Sequence, residues 1–83
     1  MKYAEKKLIF EAVQLVEGAD IPLWLQEAFE EGIVQGRFST QVIIETENGA
    51  MRANPGDYIV NSPTGRIYPV EKSDFEAIYE EVK

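Results

Sequence analysis

Cysteine and histidine are both absent from the 83 residues of this sequence. Without cysteine the chain forms neither disulfides nor thiolate metal sites, and small domains that lack such cross-links are typical of reducing compartments. Without histidine it lacks the most common general base and the most common zinc ligand. We therefore expect a cytoplasmic protein that binds no metal or cofactor and is not an enzyme.

Long apolar runs and an excess of positive charge are also missing. No apolar run approaches the roughly 18 residues that span a bilayer. The basic start, residues 2–7, leads into a stretch interrupted by Glu11 and Gln14, so we do not interpret it as a signal peptide. The formal net charge of −7 disfavours nonspecific nucleic-acid binding, which depends on Lys and Arg. An acidic chain can mimic DNA or bind a basic partner, although solubility is the simpler explanation.

Hydrophobic residues make up 45% of the chain, so we expect residues 1–83 to form a single domain with one modest core. Residues 7–15 alternate as a strand with apolar side chains on both faces, which predicts a central or doubly covered strand. Asp20 is a good N-cap for a helix over residues 20–31. Residues 33–38 are interpreted as a connection. The predicted buried stripe of the helix consists of Ile21, Trp24, Leu25, Ala28 and Phe29.

The stretch 49–70 contains three of the four prolines and is divided by turn signals. A strand over residues 39–47 leads into Asn48-Gly49, a strong hairpin signal that favours a type I′ turn. Residues 54–57 (Asn-Pro-Gly-Asp) suit a type II turn, and residues 62–65 suit a third turn. The pattern predicts four strands in an antiparallel meander.

A second helix follows the strands. Ser73 with Glu76 three residues later is the signature of a capping box at the start of a helix. The expected fold class is α+β: an antiparallel meander of four strands plus an N-terminal strand, with two short helices packed mainly on one face. A partial barrel is one way for such a sheet to curl.

Two-residue hairpin loops fix which side chains share a face of the sheet. With such loops at each turn, the face that the helices leave open carries a row of four side chains, Glu45, Arg52, Ile59 and Tyr68. Five more lie beside this row: Ile43, Asn54, Asp57, Asn61 and Arg66. The third register is the least constrained, because longer loops also suit residues 62–65. The candidate binding residues on this open face are Glu45, Arg52, Asp57, Ile59, Arg66 and Tyr68.

Each candidate also has a purely structural explanation. Arg52 opposite Glu45 is either a cross-strand ion pair or a guanidinium presented to a carboxylate or phosphate beside Tyr68. Asp57 flanks a turn, where such a side chain binds nearby backbone, and no spacing fixes a second titrating group for catalysis. The helix glutamates lack the spacing of a calcium-binding loop, so we interpret them as solvated.

Several short motifs carry a resemblance to a known family. They are a basic start followed by residues 11–14 (Glu-Ala-Val-Gln), residues 51–60 (Met-Arg-Ala-Asn-Pro-Gly-Asp-Tyr-Ile-Val), residues 65–69 (Gly-Arg-Ile-Tyr-Pro), and a closing Phe75-Glu76 with Tyr79-Glu80. The chain resembles small uncharacterised proteins encoded in phages and prophages of Gram-positive and other bacteria. The resemblance covers both ends and hardly the middle. Relatives often carry Cys and an acidic residue where this chain has Val70 and Arg66, so a thiol role is excluded here.

The resemblance implies an intracellular accessory protein of a mobile element in a bacterial host, and it carries no enzymatic activity over to this chain. Two hypotheses follow. In the first, the chain is a protein-binding module that contacts a host or phage protein, or a second copy as a homodimer, through the face with Arg52, Ile59 and Tyr68. In the second, it binds a nucleotide or other anion with Arg52 and Arg66, while Tyr68 stacks on the ligand.

Overall fold

The computed structural model describes residues 1–4 and 8–82 of the chain. In these residues six strands form two antiparallel sheets and two helices accompany them, so the α+β class is confirmed. In chain order the elements are β1 (Glu11–Gln14), α1 (Leu23–Glu30), β2 (Val34–Arg37), β3 (Gln41–Thr46), β4 (Gly49–Ala53), β5 (Tyr58–Asn61), β6 (Ile67–Val70) and α2 (Lys72–Ile78).

The strands divide into two three-stranded sheets, with the orders β1-β5-β6 and β2-β3-β4. The predicted four-strand meander is wrong, because the consecutive strands β4 and β5 lie in different sheets. Strand β5 pairs instead with β1, so that Ala12 lies opposite Val60. Strand β1 is therefore an edge strand and not the predicted central one, and the predicted start at Lys7 lies outside the described residues. The described strands form no closed barrel, since they separate into two sheets.

The chain changes sheets at the turn 54–57, which has the predicted type II character. The Asp57 N–H donates to the Asn54 carbonyl oxygen at 3.0 Å. Gly56 directly follows Pro55 and is the third residue of the turn. Its φ is +93°, as a type II turn requires. The turn backbone then binds Leu15, just after β1, through Gly56 N–H to Leu15 O and Leu15 N–H to Asp57 O, both 2.8 Å. The turn thus connects the two sheets instead of closing a hairpin.

Strand β2 lies within residues 33–38, which were predicted to be a connection. Its sequence, Val-Gln-Gly-Arg, has one β-branched residue, so its strand pattern is weak. Gly36 lies opposite Val42 and has a φ of +116°. A Cβ at this position would overlap the Gln41 carbonyl oxygen. Glycine therefore permits the close approach of β2 to β3.

The core lies between the two sheets and under α1. Leu25 and Ala28 of α1 pack there with Ile59 from one sheet and Ile44 from the other. Among the described residues no polar or charged residue is buried. The stripe predicted for α1 is confirmed, because all of its members lie in or against this core. The buried members of the core are Leu15, Leu25, Ala28, Val34, Val42, Ile44, Ala53 and Ile59.

Neither helix begins with the predicted side-chain cap. The N-cap of α1 is Pro22 and that of α2 is Glu71, and neither makes a side-chain capping hydrogen bond. The prediction of Asp20 as N-cap and of a capping box at 73–76 is therefore wrong. The Pro22 carbonyl accepts the Gln26 N–H at 3.0 Å, the first hydrogen bond of the helix. Because proline fixes its own φ, α1 begins here without a polar cap. No helix in the described ranges is long and apolar enough to cross a membrane.

The two helices lie on opposite faces of the sheet β1-β5-β6, contrary to the prediction that both pack mainly on one face. Helix α1 packs on the face of Ile59. Phe75 of α2 stacks on Tyr58, with ring centroids 3.8 Å apart, and neighbouring residues of a strand point to opposite faces. Tyr79 continues the stack at 4.7 Å from Phe75 and meets Phe10 edge-on at 5.3 Å. These four rings, the aromatic cluster, hold α2 on the sheet.

Candidate binding cleft

The predicted row of candidate side chains across one open face is not formed. Tyr68 lies opposite Val60 and not opposite Ile59, so Tyr68 and Ile59 point to opposite faces. The cause is the loop 62–66, which is longer than the expected two-residue loop and is closed by a 2.9 Å hydrogen bond from its first N–H to its last carbonyl. Ile59 is fully buried, at 0% exposure, so it is a core residue.

The β3–β4 hairpin also has a different register from the predicted one. Its loop is Glu47-Asn48, one residue earlier than expected. Glu45 and Arg52 therefore lie opposite Ala50 and Ile43, and the predicted cross-strand pair of Glu45 with Arg52 is wrong. Arg52 is exposed on the outer face of this sheet, where its role in binding stays a prediction.

A side chain closes this loop, and the predicted type I′ turn does not form. Asn48 does not adopt the positive φ that a type I′ turn at Asn48-Gly49 requires. The Thr46 hydroxyl instead accepts the Asn48 N–H at 3.2 Å and donates to the Gly49 carbonyl at 2.7 Å. The tip of the hairpin is thus fixed by one threonine.

Asp57 has a structural role in this arrangement. Its Oδ2 accepts the Asn54 N–H at 3.0 Å, and its Oδ1 accepts the Lys72 N–H at 3.3 Å. The first bond braces the turn 54–57. The second satisfies the first N–H of α2, which has no partner within the helix. The backbone therefore engages both carboxylate oxygens, as the turn explanation for Asp57 predicts.

An open cleft of about 470 Å³ lies between the β3–β4 hairpin on one side and β6 with the loop before it on the other. It brings together three of the six candidates, Glu45, Arg66 and Tyr68. The other three lie elsewhere: in the core, in the turn 54–57 and on the outer face of β4. The apolar part of the cleft is formed by Ile33, Met51, Ile67 and Pro69.

The charged side chains of the cleft are predominantly acidic. Arg66 Nη2 lies 3.3 Å from Glu47 Oε1, and both side chains are exposed. An exposed pair of this kind contributes at most about 1 kcal/mol and is weakened by salt. Glu45 adds a second carboxylate to the lining. The cleft therefore carries more negative than positive charge and favours a ligand with a cationic group.

Tyr68 connects the cleft to the aromatic cluster. Its hydroxyl lies 3.3 Å from that of Tyr79, within hydrogen-bonding distance. Burial, followed by the hydrogen bond and the charge of Tyr79, raises the pKa of Tyr68 to about 12. At neutral pH the ring is therefore uncharged, and it contributes an apolar wall with a polar tip. The open, solvated position predicted for Tyr68 is replaced by a half-buried one.

Several cleft residues were not predicted from the sequence. Glu47, Met51 and Ile33 belong to the lining, yet none of them was a candidate. They meet Tyr68 only because the two sheets pack against each other. Neither a local motif nor a hairpin rule contains that information.

The described residues offer binding surfaces and no metal centre: no group of three or more Asp or Glu side chains among them is placed to hold a metal ion. Comparison of the chain with protein-family models, with curated proteins and with solved structures gave no match. The lining of the cleft combines apolar side chains with two glutamates and one arginine. Such an arrangement suits non-covalent binding of an apolar group next to a positive charge.

Proposed function

We propose that this chain is a non-enzymatic accessory protein of phage or prophage origin that binds a host or phage protein, and that the cleft is where it binds. The observation that carries the proposal is that Glu45, Glu47 and Tyr68 line one open cleft together with apolar side chains. The binding segment of the partner would present an apolar side chain flanked by Lys or Arg.

The shape and the charge of the cleft support a polypeptide segment as the ligand. The cleft is open to solvent, which suits a segment of polypeptide better than an enclosed pocket would. Apolar contact with Met51 and Ile67 would supply affinity, and the carboxylates would supply orientation and a faster encounter. The phage or prophage origin rests on the sequence motifs, of which residues 51–60 are the longest.

A selection of random displayed peptides on the purified protein tests this function. We expect enriched peptides to share an apolar residue next to Lys or Arg. For one such peptide, Glu45→Lys should raise the dissociation constant by about tenfold, which is roughly 1.4 kcal/mol. Backbone amide signals of Ile67 and Gly65 should shift on titration, because both residues line the cleft.

Glu27→Lys is the matched control. Glu27 is exposed on α1 and does not line the cleft, yet its substitution changes the net charge by the same amount. Equal loss of binding in both variants would mean that overall charge, and not the cleft, controls the interaction. Failure to enrich any peptide, or enrichment of acidic peptides, would contradict the proposal.

The alternative, a site for a nucleotide or other anion, has one supporting observation: Arg66 and Tyr68 line the same cleft. Two carboxylates line the same cleft as Arg66, however, and Arg52 is not part of the lining, so the electrostatic support for an anion is weaker. A panel of nucleotides and inorganic phosphate in a thermal-shift assay separates the two functions. A true ligand at 100 times its Kd adds about 2.7 kcal/mol to stability, whereas absence of any shift would exclude the anion site.

A further inference from the structure

A second exposed apolar surface lies away from the cleft. Six of the ten exposed large hydrophobic side chains among the described residues belong to the segments 1–9 and 78–82. Residues 8–10 and residues between 76 and 82 line a groove of about 600 Å³. We call it the second groove; its apolar walls are Leu8, Ile9 and Phe10 on one side and Ile78, Tyr79 and Val82 on the other.

The chain exposes more surface than a monomer of its mass does. Its accessible surface is 6483 Å² for a mass of 9.4 kDa. A folded monomer of that mass is expected to expose about 5,000 Å². The radius of gyration, 13.6 Å, likewise exceeds the roughly 12 Å expected for this length. The excess, about 1,500 Å², is larger than the roughly 800 Å² that each partner buries in a standard interface.

Charge is distributed unevenly between the two walls of the second groove. Glu76 and Glu80 lie on the wall formed by α2 and the residues after it. The sequence that precedes the other wall is basic and contains Lys2, Lys6 and Lys7. A two-fold arrangement, in which each copy meets the other, would pair these opposite charges. The surface is thus complementary to itself, as an isologous dimer requires.

We propose that a second copy of this chain occupies the second groove, forming a two-fold symmetric dimer. Leu8 and Ile9 of each copy pack against Ile78 and Val82 of the other, so the exposed apolar side chains of both walls become buried. This surface is separate from the cleft, which stays open in the dimer to bind its own ligand.

Sedimentation equilibrium of the full chain over a range of concentrations tests the dimer. We expect the wild type to approach twice 9.4 kDa. Ile78→Asp should raise the dimer dissociation constant by at least about tenfold, because it places a charge in the apolar centre. Leu23→Asp is the control: Leu23 is 67% exposed, close to the 72% of Ile78, but lies on α1 away from the groove.

Val82→Asp is a second test variant that leaves α2 intact, because Val82 lies beyond the end of that helix and is 74% exposed. It should weaken the dimer as Ile78→Asp does, while circular dichroism stays unchanged. A wild type that remains at 9.4 kDa at every concentration overturns the proposal. So does a dimer that tolerates Val82→Asp, or one that Leu23→Asp weakens equally. Peptide binding at the cleft, measured on the same variants, is expected to be unaffected.

Discussion

The carboxylate of Asp57 accepts the backbone N–H of Lys72, fifteen residues further along the chain. The same side chain braces the turn 54–57 through the Asn54 N–H. One carboxylate therefore fixes both the point at which the chain changes sheets and the start of α2. The aromatic cluster depends on where α2 begins, because Phe75 of α2 stacks on Tyr58 and Tyr79 stacks on Phe75.

Removal of this carboxylate is expected to destabilise the fold. Asp57→Ala should lower the free energy of unfolding by about 1–2 kcal/mol, because two backbone N–H groups lose their acceptor. Asp57→Asn should lose about half as much, since one amide oxygen remains. Asp20→Ala serves as the control: Asp20 was the predicted helix cap, but Pro22 holds that position, and the effect should stay below about 0.5 kcal/mol. Urea unfolding measures all three, and a larger loss at Asp20 would contradict this account.

The burial of Ile59 gives a second prediction. Ile59→Ala should cost about 2–5 kcal/mol in unfolding free energy, because it leaves a cavity between the sheets. Ile43→Ala is the matched control, because Ile43 is 37% exposed on β3 and should cost less than about 1 kcal/mol. Urea unfolding measures both variants. Equal losses of unfolding free energy would contradict the buried position of Ile59 and the exposed position of Ile43.

Gly36 should tolerate no side chain. Gly36→Ala adds a Cβ that overlaps the Gln41 carbonyl oxygen, and it also forces alanine into a positive φ. The loss should be about 3 kcal/mol or more, a large part of the stability of a small domain. Gly65→Ala has a similar φ, +85°, but no heavy atom within 4 Å of the new Cβ, so about 1–2 kcal/mol is expected. Thermal unfolding of the pair separates steric overlap from backbone strain.

The raised pKa of Tyr68 predicts a loss of stability at alkaline pH. An unfolded tyrosine has a pKa of about 10, and folding raises the pKa of Tyr68 to about 12. The unfolded chain therefore releases this proton first. The contribution of Tyr68 to stability is complete below pH 10 and is lost as the pH rises from about 10 to about 12.

Urea unfolding across this pH range, on wild type and Tyr68→Phe, measures that contribution. The stability of the wild type should fall more steeply above pH 10 than that of the variant. Tyr3→Phe, at an exposed position, should follow the wild type. Parallel curves for wild type and Tyr68→Phe would show that Tyr68 ionises equally in the folded and unfolded chains.

Residues that are close together in the sequence correctly predicted a turn and the buried face of a helix. Pro55-Gly56 fixes the type II turn at 54–57, because proline fixes φ at the second position and glycine permits the positive φ at the third. The apolar spacing of residues 21–29 identified the buried face of α1. These features depend on residues within a few positions of each other, and they are independent of which strands pair.

Strand partners and registers could not be predicted in the same way. A turn type does not determine whether the turn closes a hairpin, and the turn 54–57 instead leads from one sheet to the other. The loop 62–66 shows the second difficulty. Asn61 pairs with Ile67 and not with Arg66, so the register changes by one residue, and Ile59 and Tyr68 lie on opposite faces.

The candidate site depends on strand pairing and sheet packing between residues that are far apart in the sequence. Glu45, Arg66 and Tyr68 meet because the two sheets pack together, whereas Arg52, Asp57 and Ile59 were grouped with them only by the predicted registers. Sequence patterns identified chemically distinctive side chains but not their neighbours. Residues such as Glu47 and Met51, which carry no motif, become cleft residues through tertiary packing alone.

The division into two sheets has a consequence for the order of folding. The strands β2, β3 and β4 are consecutive within residues 34–53, whereas Glu11 of β1 pairs with Asn61 of β5. Closing the long loop between β1 and β5 costs more chain entropy than forming adjacent hairpins. In pulse-labelled hydrogen exchange during refolding, we expect amides of residues 34–53 to become protected before those of β1. On the ribosome, β1 therefore emerges well before its partner and stays unpaired until β5 has been synthesised.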